Sequence, residues 1–203
     1  MKSVLCPYIE NYRAPSNLWS KKEKLDNFDG TPADNSILTF MQTAWNENFL
    51  FSKFEGKYEF LTISNELVGK NKTKRLWETN DVFEMFISHE SNNIYKEFQV
   101  APDGKFIDIA IDASSNERIS DFSWLSGFTN ITKVTKNSWK SIFIVPWAAF
   151  NGNPPKDGEE WTANFYRISS PLKNTKYLSW SPVYKIAFHQ PNLFGKIIFQ
   201  KQA

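Results

Sequence analysis

The feature that most constrains this chain is its punctuation. Short runs of β-branched and aromatic residues recur along its length, separated by clusters of Asn, Asp, Gly and Pro, which is the signature of strands joined by turns. The candidate strands are Ser36–Trp45, Phe49–Phe54, Tyr58–Ile63, Val82–Ser88, Ile94–Ala101 and Lys105–Asp112, followed by Phe128–Val134, Ser138–Val145, Glu160–Ile168 and Gly195–Phe199. Tight turns are expected at Asn46-Glu47-Asn48, Glu55-Gly56-Lys57 and Pro102-Asp103-Gly104, the last with a glycine free to take positive φ. Only two stretches argue for helix: Pro146–Phe150, with Pro at a first helical position, and the weaker Asn65–Leu67. Together these predict an all-β protein, an antiparallel β-sandwich of about ten strands with short helical turns. The chain, residues 1–203, reads as one domain, with the loop-rich segment 1–35 packed on it.

Composition excludes several classes. The net charge is +2, which gives no electrostatic case for nucleic acid. The basic clusters, Lys21, Lys22 and Lys24 and then Lys70, Lys72, Lys74 and Arg75, fall in loop-like segments and read as solvated faces. One cysteine, Cys6, cannot form an internal disulfide, and with only two histidines it does not suggest zinc. No apolar run approaches the ~20 residues of a membrane helix, and the N-terminal residues lack the apolar region of a signal peptide. Aromatic residues make up 16% of the chain, with 8 Trp and 18 Phe. Most must serve the core, and the surplus favours a ligand platform.

Strand alternation sorts the faces. In Val82–Ser88, Phe83, Met85 and Ile87 share one face and Glu84 the other, with Val82 and Phe86. In Ile94–Ala101, Tyr95, Glu97 and Gln99 oppose Lys96, Phe98 and Val100. Ile107, Ile109 and Ile111 read as core, which puts Phe106, Asp108 and Asp112 on the second face. That face then carries Glu84, Tyr95, Gln99 and Asp108. Polar groups beside rings suit a sugar, which offers hydroxyls at its rim and C–H groups on its face.

Four segments, in order, resemble the family 9 carbohydrate-binding modules, a fold related to the DOMON-type sandwiches. They are Ala44–Phe51, Trp77–Ile87, Trp139–Phe150 with its Val-Pro-Trp end, and Leu178–Pro182 continuing through Phe188–Gly195. The resemblance implies a non-catalytic domain that holds a sugar ring between two aromatic side chains, with a carboxylate and other polar groups on its hydroxyls. Carried over by position, the stacking rings are Trp77 and Phe188, the carboxylate is Glu84, and the next-strand polar residue is Gln99, where the family pattern has Arg. Lys185 stands near the position of a loop amide. Trp180 matches a structural Trp, and the other tryptophans read as core or rim. His189, in the same loop, and Arg167, at the end of a strand segment, are further ligand-binding candidates; Arg167 would either reach a ligand or pair with Glu84.

The implied partner is a mono- or oligosaccharide bound by a monomer; members of the family are usually extracellular or cell-envelope proteins, and the sequence itself does not assign a location. No cofactor is implied, although family members can carry structural calcium; Asp29, Asp34, Asp103 and Asp121 are loop carboxylates of the right kind. The rival reading is a glycoside hydrolase, or an accessory domain of a polysaccharide-degrading system, with Glu84 and Asp108 as the only carboxylate pair on one face. A haem-binding DOMON-type domain would need axial ligands from His89, His189, Met41 or Met85.

Overall fold

The computed structural model describes residues 1–64, 75–91, 93–150 and 152–201, leaving aside the side chain of Glu90. Thirteen strands run through the described residues: β1 (Ser3–Pro7), β2 (Glu23–Asn27), β3 (Thr39–Trp45), β4 (Phe49–Lys57), β5 (Val82–Ser91), β6 (Ile94–Val100), β7 (Phe106–Asp112), β8 (Ile119–Asp121), β9 (Thr129–Val134), β10 (Ser138–Pro146), β11 (Glu160–Ser169), β12 (Lys176–Ser179) and β13 (Gly195–Gln200). One short helix, α1 (Leu76–Thr79), and four 3-10 turns complete the inventory. The fold is the expected antiparallel β-sandwich. The expected helical turn after Pro146 is present as a 3-10 turn over Trp147–Ala149. The Asn65–Leu67 helix and the lysines at 70, 72 and 74 lie outside the described residues.

The sheet curls on itself through β2. Glu23, Lys24 and Leu25 pair with β3, whereas Asp26 and Asn27 pair with β12. One layer runs β8-β7-β6-β5-β11, with β12 and β13 both on β11, and the other runs β3-β4-β10-β9. β1 joins β13 in parallel, with Ser3 opposite Lys196. Between the layers lies the main core, where Phe83, Met85 and Phe98 meet Phe54, Trp139 and Phe143. Phe83 stacks on Trp139 with ring centres 3.7 Å apart and on Phe54 at 4.9 Å. A second apolar cluster, with Phe86, Ile107, Ile109, Tyr166 and Phe188, covers the opposite face of the first layer.

Two expectations are corrected. Tyr58–Ile63 is not a strand, and Glu55-Gly56-Lys57 is not a turn: β4 runs straight through Gly56 to Lys57, still paired with β10. The glycine serves a close approach instead, since a Cβ there would lie 2.6 Å from the Arg167 guanidinium and 3.0 Å from Phe83. The second correction concerns β7. Gln99 is opposite Ile107 and Glu97 opposite Ile109, so the isoleucines share the face of Glu84, and Asp108, opposite Phe98, points to the main core side. Asp108 is buried there and accepts hydrogen bonds from the Ser126 N–H (2.7 Å) and hydroxyl (2.6 Å).

Candidate functional site

The outer face of the β8-β7-β6-β5-β11 layer is not flat against solvent. The turn after β12, residues 181–190, folds back over it, and α1 closes one side. The result is a cavity of about 460 Å³, within the range of small-molecule sites.

Alternation builds its floor. On β5, Glu84 and Phe86 point outward because Phe83, Met85 and Ile87 are taken by the core. On β6, Glu97 and Gln99 do the same, and β7 adds Ile109. Antiparallel pairing places Glu84 opposite Gln99 on one side and opposite Tyr166 on the other. Three polar side chains thus sit almost fully buried, with Glu84 and Gln99 1% and Glu97 2% exposed. Gln99 donates its amide N–H to Glu97 Oε1. Among the described residues, Glu84 Oε2, Glu97 Oε2 and Gln99 Oε1 have no hydrogen-bond partner. Buried acceptors left unpaired cost free energy, and clustered in a cavity they mark a place where something else donates.

The electrostatics follow from the burial. Loss of water, together with the neighbouring Glu97 carboxylate, pushes Glu84 well above the usual glutamate range. Glu97 is likewise pushed up by burial, against the opposing pull of the Gln99 amide and the positive field of Arg118. Two like charges this close, out of water, disfavour double ionisation. His189 borders the same floor. Burial, with Arg118 adding to it, pulls its imidazole down to about 3, so it is neutral. Its Nδ1 lies 2.9 Å from Tyr95 Oη and its Nε2 3.9 Å from Glu97 Oε2. The tautomer in which Tyr95 donates leaves the imidazole proton on the Glu97 side.

Aromatic groups form the walls. Trp77, half-buried on α1, and Tyr177 on β12 border the cavity together with Phe122 and Phe188. Phe188 is 8% exposed. It stacks on Tyr166 with ring centres 4.1 Å apart and planes 12° from parallel, so one of its faces belongs to the protein. The loop that presents it is tied down from several sides. Tyr166 Oη donates to the Phe188 carbonyl (3.0 Å), and the Gln190 amide donates to the carbonyls of Val183 (3.0 Å) and Ala187 (2.9 Å). The Val183 and Tyr184 N–H groups both reach the Phe28 carbonyl, with Tyr184 at φ +59°. Arg75 and Arg118, both exposed, stand at the rim.

Of the expected site residues, Trp77, Glu84, Gln99, Phe188 and His189 all border this cavity. Lys185 is exposed in the loop and is not among the lining residues. Arg167 is placed elsewhere. It follows Tyr166 on β11 and therefore points the other way, opposite Phe83, into the main core. There it is fully buried, 3.4 Å from Asp81 and hydrogen-bonded to Thr39 Oγ1 and the Lys57 carbonyl. It reaches neither the cavity nor Glu84. Asp108, on the wrong face, is separated from Glu84 by the sheet. Glu97 is the floor residue missing from the expected set, although its alternation with Tyr95 and Gln99 signalled it.

The expected calcium carboxylates do not converge. Asp29, Asp34 and Asp121 each accept hydrogen bonds within their own turn, from Thr31, Ser36 and Ser123, and Asp103 pairs with Lys105. Among the described residues, no group of three or more His, Cys, Asp or Glu is placed to hold a metal. The axial haem candidates are scattered too. Met41 and Met85 are in the main core, and His89 packs on Trp161 and Phe150.

Comparison with known proteins completes the picture. A sequence profile of carbohydrate-binding family 9 matches residues 57–199, the stretch that supplies every cavity residue named above. The chain belongs to carbohydrate-binding family 9. No curated protein matches it. Among solved structures, a protein from Bacteroides uniformis described as a candidate carbohydrate-binding protein superposes with a TM-score of 0.76 at 19% identity, over 98% of this chain and 99% of that one. A family 9 carbohydrate-binding module from Caldicellulosiruptor kristjanssonii, solved with cellotriose, gives 0.67 at 13% identity over 100% and 95% of the two chains. The same module solved with glucose gives 0.67 at 13% identity, over 100% and 97%. These likenesses extend the family 9 fold to the strands before residue 57.

Proposed function

We propose that this family 9 domain binds a mono- or oligosaccharide without acting on it, in the cavity over β5 and β6. The observation that carries the reading is the trio of buried, unpartnered acceptors on Glu84, Glu97 and Gln99 beneath a wall of aromatic rings. Sugar hydroxyls are donors of the required kind, and the ring C–H face suits Trp77 and the accessible edge of Phe188. The modules from Caldicellulosiruptor kristjanssonii with cellotriose or glucose bound support the same ligand class.

The non-catalytic part rests on the placement of the carboxylates. Hydrolysis needs two carboxyl groups flanking the scissile bond. Here Glu84 and Glu97 come from adjacent strands on one sheet face, so both lie beneath a ligand rather than on either side of a bond. Turnover of aryl glycosides that vanishes in both Glu84→Gln and Glu97→Gln would overturn this point.

Calorimetric titration with mono- and oligosaccharides tests the binding itself. The wild type binds at least one sugar at millimolar concentration or better. Glu84→Ala weakens it by about tenfold or more, from the lost hydrogen bond together with the partner group left unpaired, and Trp77→Ala weakens it as well. A wild type that binds no sugar would sink the reading.

A further inference from the structure

We propose that the preferred ligand is a cationic saccharide, a pyranose whose free ammonium group docks between Glu84 and Glu97 on the cavity floor. The proposal rests on the saccharide-binding reading and narrows its ligand class.

The floor is one-sided in its demands. The three polar atoms there that lack partners, Glu84 Oε2, Glu97 Oε2 and Gln99 Oε1, are all acceptors. The buried donors left without partners, such as Trp139 Nε1 and Arg167 Nε, belong to residues that do not line the cavity. What is missing at the floor is therefore a donor and, beside two carboxylates, a positive charge. Among the described residues, none supplies that charge. Arg75 pairs with Glu78 at 3.1 Å, outside the floor. Arg118 is exposed at the rim and forms no ion pair with either carboxylate, acting on Glu97 only through its field. Lys185 points to solvent, and the His189 ring is neutral. Tyr95 and Tyr166, which also face the pair, are held in their neutral form by burial.

A neutral hexose meets this floor only with single hydroxyl donors, and it brings no charge that would let both carboxyls ionise. An ammonium brings three N–H donors on one atom and a charge that offsets that repulsion where water is excluded. Binding it favours ionisation of both carboxylates, so docking near neutral pH releases protons. A ring amine that has been acetylated loses the charge and two of the three donors.

The test uses the intact wild-type chain and compares glucosamine, glucose and N-acetylglucosamine by calorimetry at about pH 7, in two buffers of different ionisation heat. Glucosamine is expected to bind at least about tenfold tighter than either neutral sugar, with protons released, and its advantage shrinks at about pH 4.5 as the carboxylates take up protons. Glu84→Gln and Glu97→Gln, checked for folding by circular dichroism, bring the ratio of the two Kd values towards one. The pH comparison on the wild type stands without the variants. If glucose binds as tightly as glucosamine at pH 7, or if the ratio does not change with pH, the cationic-ligand proposal falls while saccharide binding stands. If no sugar of any kind binds, both fall together.

Discussion

Glu84 and Glu97 face one cavity from adjacent antiparallel strands, a diagonal apart: Glu84 lies opposite Gln99, and Glu97 opposite Phe86. Both are buried, and among the described residues neither forms an ion pair with a lysine or arginine. The arrangement has consequences beyond any ligand.

The first is an unusual dependence of stability on pH. Both carboxyls have folded-state pKa values above the ordinary glutamate value of 4.5, with Glu97 at about 7. The two carboxyls therefore hold more protons in the folded protein than in the unfolded chain between these limits, and their contribution to stability falls as pH rises. This contribution is full below about pH 4.5 and lost as pH passes through about 7 and above. Urea denaturation at a series of pH values is expected to show the decline above about pH 6.5, because below that pH the depressed His189 imidazole contributes an opposing rise. Glu97→Gln flattens the decline, and an unchanged slope in that variant would contradict the assignment.

A second expectation concerns Gln190, which does not line the cavity but ties its loop to the Val183 and Ala187 carbonyls. Gln190→Ala removes two hydrogen bonds of about 0.5–1.5 kcal/mol each. Because the loop carries Phe188 and His189, sugar affinity should drop several-fold. The thermal midpoint should move by only a few degrees. Equal affinity in the variant would show that the loop holds its shape without the amide.

A third concerns the ion pair buried in the main core. Asp81 faces Arg167 at 3.4 Å and also accepts from the Thr62 and Ser170 N–H groups. Asp81→Ala leaves a guanidinium buried without its counter-charge, and a loss of about 3–5 kcal/mol in denaturant unfolding is expected. A loss under 1 kcal/mol would mean that Arg167 is satisfied by its carbonyl partners alone.

Gly56 gives the fourth. Its conformation is ordinary strand, yet a Cβ would press on Arg167 and Phe83. Gly56→Ala should cost about 1–3 kcal/mol from overpacking. Gly152→Ala is a useful contrast. Nothing lies within 4 Å of a Cβ there, and only its φ of +84° opposes the change, at about 1–2 kcal/mol. Equal stability of Gly56→Ala and the wild type would refute the close-approach account.

Much of the architecture was legible because alternation is a local signal. Phe83, Met85 and Ile87 against Glu84 and Phe86 declare the two faces of β5 without any knowledge of the rest. The signal fails where a strand is short or polar. β2 (Glu-Lys-Leu-Asp-Asn) has a single apolar residue, and β8 has three residues in all. Such strands are held by the neighbours they pair with, which a local pattern does not reveal. The same limit explains Ile107, Ile109 and Ile111. Their period identifies a buried face, but this sheet buries both faces, so the period alone does not say which of the two is the cavity side. Asp108 and the isoleucines are exchanged by that ambiguity. Arg167 was misread for a related reason. A charged residue at a strand end suggests a ligand contact, and nothing in its own segment announces that Asp81 and a glycine on β4 have made room for it inside.

The pairing of β1 with β13 bears on how the molecule reaches this state. Ser3 aligns with Lys196 and Pro7 with Gln200, a junction between residues almost two hundred positions apart. Closing so long a loop is entropically slow, and contacts of this separation belong to folding on the scale of milliseconds to seconds. Seen in time rather than in space, that junction is a late latch. During synthesis, β1 emerges long before β13 and must wait, with Val4 and Cys6 uncovered on that side, until its partner has been made. A nascent chain stalled before Gly195 would carry an open edge along β1, the kind of edge other chains pair with.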